Sequence, residues 1–432
     1  MSAYADFLDK KRRVAAPLGI GLEAPLPDLL FPWQRAIVKW AAKKGRAAIF
    51  ADCGLGKTFM QLAWAQAMGA KTLILAPLCV AEQTADEASK LGMVVPYARK
   101  QAEAIGAYSI TNYERLDDFD LSQFGAVVLD ESSILKAFDG TTRTKLIEAC
   151  ARVPYRLCCT ATPSPNDISE LANHAEFLGL MTRAEFLASW FIHDSDGWRM
   201  KGHARQPFYR WLASWAIAFR KPSDLGYSDD GFVLPELVIK DHILEVDGPA
   251  SGSLFPEMGT KGLKGRLSAR RASLESRTEE CARLVLHHAP QCQWLVWCGL
   301  NEESETVAEL TGGLEVSGAD SYDEKRHAVL SFTSGETRTL ISKPRILGYG
   351  MNFQHCHHAI FVGLGDSYEQ YYQAIRRCWR FGQKTKVTAH IVISEAERVI
   401  VENVRRKEAA AADLSASLID HMRDFEREEL AV

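Results

Sequence analysis

An α/β protein of two lobes, each a doubly wound parallel sheet, is what this sequence predicts, and three observations carry the prediction. Apolar runs without polar alternation recur between stretches of helical spacing: Arg46-Ala47-Ala48-Ile49-Phe50-Ala51, Thr72-Leu73-Ile74-Leu75-Ala76-Pro77, Ala126-Val127-Val128-Leu129 and Arg156-Leu157-Cys158-Cys159-Thr160. Strands buried on both faces read this way, and their alternation with helices indicates a parallel sheet with ligands at its carboxyl edge. At 432 residues the chain exceeds one typical core. Gly248 to Gly265 is rich in Gly, Ser and Pro and has no periodicity, which marks a linker between lobes.

Composition excludes several classes. With 51 Lys plus Arg against 55 Asp plus Glu, the net charge of -4 supplies no global field for a polyanion, so nucleic-acid binding would depend on local patches. The ten cysteines form no C-x-x-C pair, and Cys158 and Cys159 sit in an apolar run, as reduced thiols of a cytoplasmic protein do. Lys10 to Arg13 are followed by no long apolar segment, and no stretch approaches a membrane span.

The first strand leads into Asp52-Cys53-Gly54-Leu55-Gly56-Lys57-Thr58, and a helix follows. Gly54 and Gly56 let backbone N–H groups turn toward phosphate oxygens, Lys57 adds charge at the terminal phosphates, and Thr58 is a ligand type for Mg²⁺. Ala126 to Leu129 ends in Asp130-Glu131. A carboxylate pair at a strand end presents one acid, Asp130, to the metal and a second, Glu131, to the attacking water. Upstream, Gln34 in Phe31-Pro32-Trp33-Gln34-Arg35 offers a donor and an acceptor to an adenine edge. ATP and Mg²⁺ are the expected cofactors. Far downstream, Gln373-Ala374-Ile375-Arg376-Arg377-Cys378-Trp379-Arg380-Phe381-Gly382-Gln383 places Arg377 and Arg380 at i and i+3, on one face if the segment is helical.

In this order the motifs resemble superfamily-two helicase-type ATPases, and within them the Swi/Snf-like branch. The resemblance runs collinearly from about residue 30 to about residue 395. The family's A-D-x-G-x-G-K-T loop is matched by Ala51 to Thr58, I-T-x-Y-E by Ile110 to Glu114, and T-x-T-P by Thr160 to Pro163. Leu295 to Cys298 is similar to the motif IV strand, Gly348-Tyr349-Gly350-Met351-Asn352-Phe353 to motif V, and Gln373 to Gln383 fits Q-A-x-x-R-x-x-R-x-G-Q at every fixed position. Two departures stand out. Asp130-Glu131-Ser132-Ser133 lacks the histidine that usually closes the acidic motif, and Ser342-Lys343-Pro344-Arg345 replaces S-T-R-A.

The resemblance implies two RecA-like lobes with a helical insertion between them. The boundaries expected are an N-terminal extension (1–30), first lobe (31–180), helical insertion (181–235), linker with basic patch (236–275), second lobe (276–395) and C-terminal helix (396–432). It implies catalysis by Lys57, Asp130, Glu131, Arg377 and Arg380. Gln34, Gly54, Gly56, Thr58 and Gly350 would contact nucleotide, and Thr58 and Asp130 would hold Mg²⁺. Thr160, Thr162 and Gln373 would couple the lobes, while Thr111, Asn352, Lys261, Lys264 and Arg266 are candidate nucleic-acid contacts. The function implied is an ATP-driven DNA translocase or helicase, acting on duplex more than on single strands. A nucleotide-gated DNA-binding module with slow hydrolysis and an RNA helicase are the alternatives. A compact form fits a bacterial or phage protein working with a replication, recombination or defence partner.

Other features admit two readings. Trp211 and Trp215 share a helical face and serve either as core or as a base-stacking stripe. Lys261, Lys264, Arg266, Arg270 and Arg271, with no acid among them, form either a phosphate-binding patch or a solvated linker. His355-Cys356-His357-His358 looks like a metal cluster, but consecutive strand residues point to opposite faces and do not converge on one ion.

Overall fold

The computed structural model describes residues 14–136, 140–164, 167–194, 197–245, 270–348 and 351–430. The chain divides into two compact units, Met1–Asp230 with Ala410–Val432, and Gly231–Ala409.

The first unit contains α1 (Pro32–Lys44), β1 (Arg46–Ala51), α2 (Lys57–Met68), β2 (Thr72–Ala76), α3 (Ala81–Lys90), β3 (Tyr108–Asn112), β4 (Ala126–Asp130), α4 (Thr141–Ala149), β5 (Tyr155–Cys159), α5 (Leu171–Phe177), α6 (Arg183–Trp190), β6 (Phe191–Asp194), β7 (Gly197–Met200), α7 (Arg205–Ala213) and β8 (Ala216–Phe219). Six strands form one sheet in the order β3-β2-β4-β5-β1-β8, every pair parallel. All five residues of β2 and of β4 are buried, the consequence of helices covering both faces. Pro32 opens α1 with a preset φ, the Phe31 N–H donates to Gln34 Oε1 at 2.9 Å, and Gly45 at φ 70° closes the helix.

Residues 181–235 do not form a separate helical insertion. β8 continues the sheet beside β1, from Ala48↔Ala216 to Ala51↔Phe219, so the segment as far as Asp230 completes the first unit. Its four residues, Ala216-Ile217-Ala218-Phe219, are a buried apolar run too short for periodicity to separate strand from helix. β6 and β7 form a small antiparallel ribbon. Trp211 and Trp215 lie within the core, their ring centroids 5.3 Å apart in a cluster with Trp190, Phe186 and Phe208. They are packing residues, enclosed on all sides and closed to bases.

The second unit contains β9 (Leu237–Leu244), α8 (Leu274–Leu286), β10 (Trp294–Cys298), α9 (Asn301–Thr311), β11 (Leu314–Val316), α10 (Tyr322–Ser334), β12 (Thr339–Ser342), α11 (Pro344–Leu347), β13 (His358–Val362), α12 (Tyr368–Ile375), β14 (Val387–Ser394) and the start of α13 (Arg398–Leu430). Its sheet has the order β11-β12-β10-β13-β14-β9 and is again wholly parallel. The expected linker therefore begins later than residue 236: β9 pairs with β14 through eight residues, Val387↔Leu237 to Ser394↔Leu244. Lys240, Asp241 and His242 interrupt the apolar pattern of β9, which hid the strand, and its outer position tolerates them.

Buried charge organises this unit. Glu303, at the first turn of α9, accepts Arg270 Nε at 2.7 Å, Arg270 Nη2 at 2.9 Å and Arg277 Nη1 at 2.7 Å, and also the N–H groups of Gly299 and Leu300. Burial works to raise its carboxyl, and the two arginines overcome that and hold it below the ordinary value. Arg270 also donates to the Val362 carbonyl at 2.8 Å, so this member of the expected basic patch is an interior strut. Lys261, Lys264 and Arg266 lie outside the described residues.

α13 leaves the second unit and its last turns pack in the first. Glu426, wholly enclosed, accepts the Ala218 N–H of edge strand β8 at 2.6 Å, and Glu429 pairs with Lys44 at 2.8 Å. Among the described residues no helix is long and apolar enough to cross a membrane.

Removing the hub of the second unit, Glu303→Ala, leaves two buried guanidinium groups with one carboxylate, Glu397, between them and should lower stability by about 3–5 kcal/mol in chemical denaturation. An unchanged midpoint would show that the ion cluster is dispensable. Burial pushes the Glu426 carboxyl up from 4.5 to about 8. The folded chain thus retains a proton that the unfolded chain releases, and stability falls as pH rises from 4.5 toward 8. Glu426→Gln, which keeps an acceptor for Ala218, should gain on the wild type progressively across that window, and a pH-independent difference would refute the assignment.

Candidate active site

The carboxyl ends of β4, β5 and β1 are neighbours in the first sheet, and each carries one part of the site. β1 ends in the phosphate loop. Gly54 and Gly56 hold φ 84° and 70°, left-handed values that only glycine adopts without strain. A Cβ on Gly56 would lie 2.5 Å from Gln34 Nε2, so the cradle closes against that side chain. Gln34 in turn donates to the Leu55 carbonyl at 3.1 Å and is buried, which fixes the loop from behind. The missed strand contributes here too, because the Phe219 carbonyl of β8 accepts the Asp52 N–H at 3.1 Å.

Lys57 and Thr58 open α2, with the Lys57 amine folded back onto the carbonyls of Ala51 at 2.9 Å and Asp52 at 3.3 Å. At the end of β4, Asp130 is 5% exposed, and burial followed by the adjacent Glu131 raises its carboxyl from 3.8 to about 7, opposed by Lys57 and Gln61. Burial and the second acid together outweigh the Lys57 charge at this carboxyl. Gln61, one turn into α2, is fully enclosed, with its amide beside the Asp130 carboxyl. β5 leads to Thr160, whose Oγ1 lies 3.5 Å from Glu131 Oε2 and accepts the Thr162 N–H at 3.1 Å. Thr162 Oγ1 is buried without a partner among the described residues.

These residues fit a nucleoside triphosphate with Mg²⁺. The loop offers a cradle of N–H groups, Lys57 a movable charge, Thr58 and Asp130 oxygen ligands, and the surplus of negative charge at Asp130 and Glu131 a reason for a cation.

In the second unit the arginine segment differs from the expected helix. α12 stops at Ile375, and Arg377 and Arg380 follow in successive turns. The Arg377 Nε donates to the Gln373 carbonyl at 2.9 Å, taking the acceptor that a continuing helix would give to the Arg377 N–H, which turns instead to Ala374 at 3.2 Å. The two guanidinium groups are nonetheless brought together, donating to the Met351 carbonyl at 3.1 Å and 3.3 Å. Arg377 also donates to Gln373 Oε1 at 2.8 Å and is buried, whereas Arg380 is partly exposed. Gly350 lies outside the described residues. Asn352 is partly exposed, and Thr111 is fully enclosed in β3, which removes Thr111 from any surface a nucleic-acid strand touches. Cys356 turns its thiol to the Gln293 and His358 carbonyls, and His358 stacks on Trp294 with centroids 4.5 Å apart. Among the described residues no three His, Cys, Asp or Glu side chains gather as metal ligands.

Residues 276–382 match the helicase conserved C-terminal domain family. The chain thereby resembles superfamily-two helicase-type ATPases, as its motifs do, through a helicase domain that takes in β10 to the arginine turns. Among solved structures it is similar to the SWI2/SNF2 ATPase core of Sulfolobus solfataricus in complex with dsDNA, at 17% identity over 95% of this chain and 97% of that one, with a TM-score of 0.43. No curated protein matches this chain. The helicase domain ends before the first unit's returning segment, so the phosphate loop and its acids stand on their own geometry.

Sequence reasoning missed several residues around the acids. Tyr113 donates its hydroxyl to the Asp130 carbonyl at 2.6 Å, Gln61 sits beside the Asp130 carboxyl, and Ser132 contacts His174. Gln61 left one signal, a glutamine inside an otherwise apolar helix run, Met60-Gln61-Leu62-Ala63-Trp64. The helicase domain holds a cavity of about 260 Å³ whose wall includes Arg270, Lys343, Arg345 and Gln370, and it shares no residue with the phosphate loop.

Gly56→Ala should weaken binding of a fluorescent ATP analogue at least about tenfold, because the new Cβ combines a left-handed strain of about 1–2 kcal/mol with the Gln34 clash. Fluorescence titration at wild-type affinity would exclude the loop as the phosphate cradle.

Proposed function

We propose that this chain is a nucleic-acid-dependent ATPase that moves along DNA. The observation that carries the reading is the placement of phosphate loop, acid pair and Thr160 on three adjacent strand ends of one parallel sheet. In this reading the loop N–H groups and Lys57 bind the phosphates, and Lys57 leaves its resting acceptors, Ala51 and Asp52, to do so. Thr58 and Asp130 would hold Mg²⁺, which when bound supplies charge neutralisation at the phosphate oxygens. Glu131 accepts a hydrogen bond from the attacking water and directs it, and Thr160 steadies that carboxylate.

The motif resemblance assigns the arginine finger to the segment Gln373 to Gln383. Arg380 is the better candidate for the finger because it is partly exposed, while Arg377 is buried and holds Gln373 and Met351 in place. Thr162 and Gln373 are the coupling residues of the resemblance. DNA as the polymer is supported by the motif resemblance. Asn352 is a further candidate contact.

Lys57→Ala and Arg380→Ala should each abolish DNA-stimulated hydrolysis in a phosphate-release assay with the fold intact by circular dichroism, Arg380→Ala by about 10³–10⁵ in rate. Wild-type turnover in Arg380→Ala would refute the finger. Comparing stimulation by duplex DNA, single-stranded DNA and RNA tests the polymer: a response mainly to duplex supports a translocase, and strand displacement would convert the reading to a helicase.

A further inference from the structure

The turn that carries the acid pair is anchored from inside the unit. Glu131 holds φ 53°, the one positive value among the described non-glycine residues, in a region that a side chain disfavours. Such a conformation persists only where its neighbours over-determine it. On one side the Tyr113 hydroxyl donates to the Asp130 carbonyl at 2.6 Å. On the other, Ser132 is fully enclosed and its Oγ lies 3.1 Å from His174 Nε2.

His174 has no evident reason to be polar. It sits on α5 among core residues, wholly enclosed, with its ring edge-on to Phe50 of β1 at a centroid distance of 5.2 Å. Its Nδ1 meets no hydrogen-bond partner among the described residues, so Ser132 is the polar contact that gives the ring a place. Burial lowers its pKa to about 3, which leaves it neutral at working pH. A neutral ring meets a hydroxyl in either tautomer, since the hydroxyl donates or accepts as required.

We propose that Ser132 and His174 are positioning residues for hydrolysis: their buried contact pins the left-handed turn at Glu131 and so aims its carboxylate. The inference depends on the reading of Glu131 as the group that directs water. Without the pin, the backbone of Glu131 relaxes toward the right-handed region and its side chain swings away, while the phosphate loop, built on a different strand, stays as it was. The signature is therefore a loss in kcat with KM preserved.

Steady-state hydrolysis and hydrogen exchange on the full chain test this. Ser132→Ala and His174→Leu should each lower kcat about tenfold with KM for ATP within about twofold. The double variant should be no slower than either single one, because both remove the same contact. His174→Gln, whose amide nitrogen takes the place of Nε2, should recover most of the rate. Exchange in the peptide covering residues 127–136 should speed up in Ser132→Ala without nucleotide present, a readout that does not need turnover. Ser132→Ala removes a single oxygen and carries the test if His174→Leu fails to fold. An active wild type with unaffected kcat in folded Ser132→Ala, or losses that multiply in the double variant, overturns this inference alone. A wild type that hydrolyses no ATP overturns the functional reading and this inference together.

Discussion

Two carboxylates share the end of one buried strand, and the rest of the first unit is arranged around that confinement. Asp130 is enclosed, next to a second acid, in a place where its charge is disfavoured by burial and then by Glu131. A protein keeps such a pair only where something restores the balance, and the balance here is partly built in. Lys57 opposes the charge, Gln61 stands beside it, and Tyr113 ties down the backbone between strand and turn. The parallel sheet makes this possible, because it brings three strand ends to one edge with their loops free to carry chemistry.

The second unit meets the same difficulty with the opposite outcome. Glu303 is as deeply buried as Asp130, yet its partners are complete: two arginines and two backbone N–H groups. Its carboxyl is held below the ordinary range where that of Asp130 is pushed up. A buried carboxylate saturated by two arginines is a structural joint, and a pair of acids crowded at a strand end beside a phosphate loop is a place for a cation.

What the sequence displayed was local. The phosphate loop needs glycines at fixed positions, and a strand followed by two acids is a contiguous pattern, so Gly54, Gly56, Lys57, Asp130 and Glu131 were legible. The two-sheet, parallel architecture was legible for the same reason, from apolar runs such as Thr72 to Ala76 and Leu295 to Cys298. The outer strands β8 and β9 were hidden: one is four residues long, and the other carries Lys240, Asp241 and His242. The arginine helix ended early because the Arg377 side chain takes a carbonyl that the backbone would have used, a competition invisible in a propensity reading. Ser132 and His174 are 42 positions apart, and nothing in either neighbourhood announces the other.

One feature of the chain path bears on how the molecule is made. The first unit is discontinuous, with residues 1–230 joined by 410–432. Synthesis from the N-terminus delivers all six strands of that sheet before the second unit and before the segment that carries Glu426. Only afterwards does Glu426 reach the Ala218 N–H. For that interval a nascent chain exposes an unpaired strand edge, the kind of surface that recruits other chains. The last turns of α13 thus reach a body whose strands emerged long before, and cover an edge that the earlier chain leaves open.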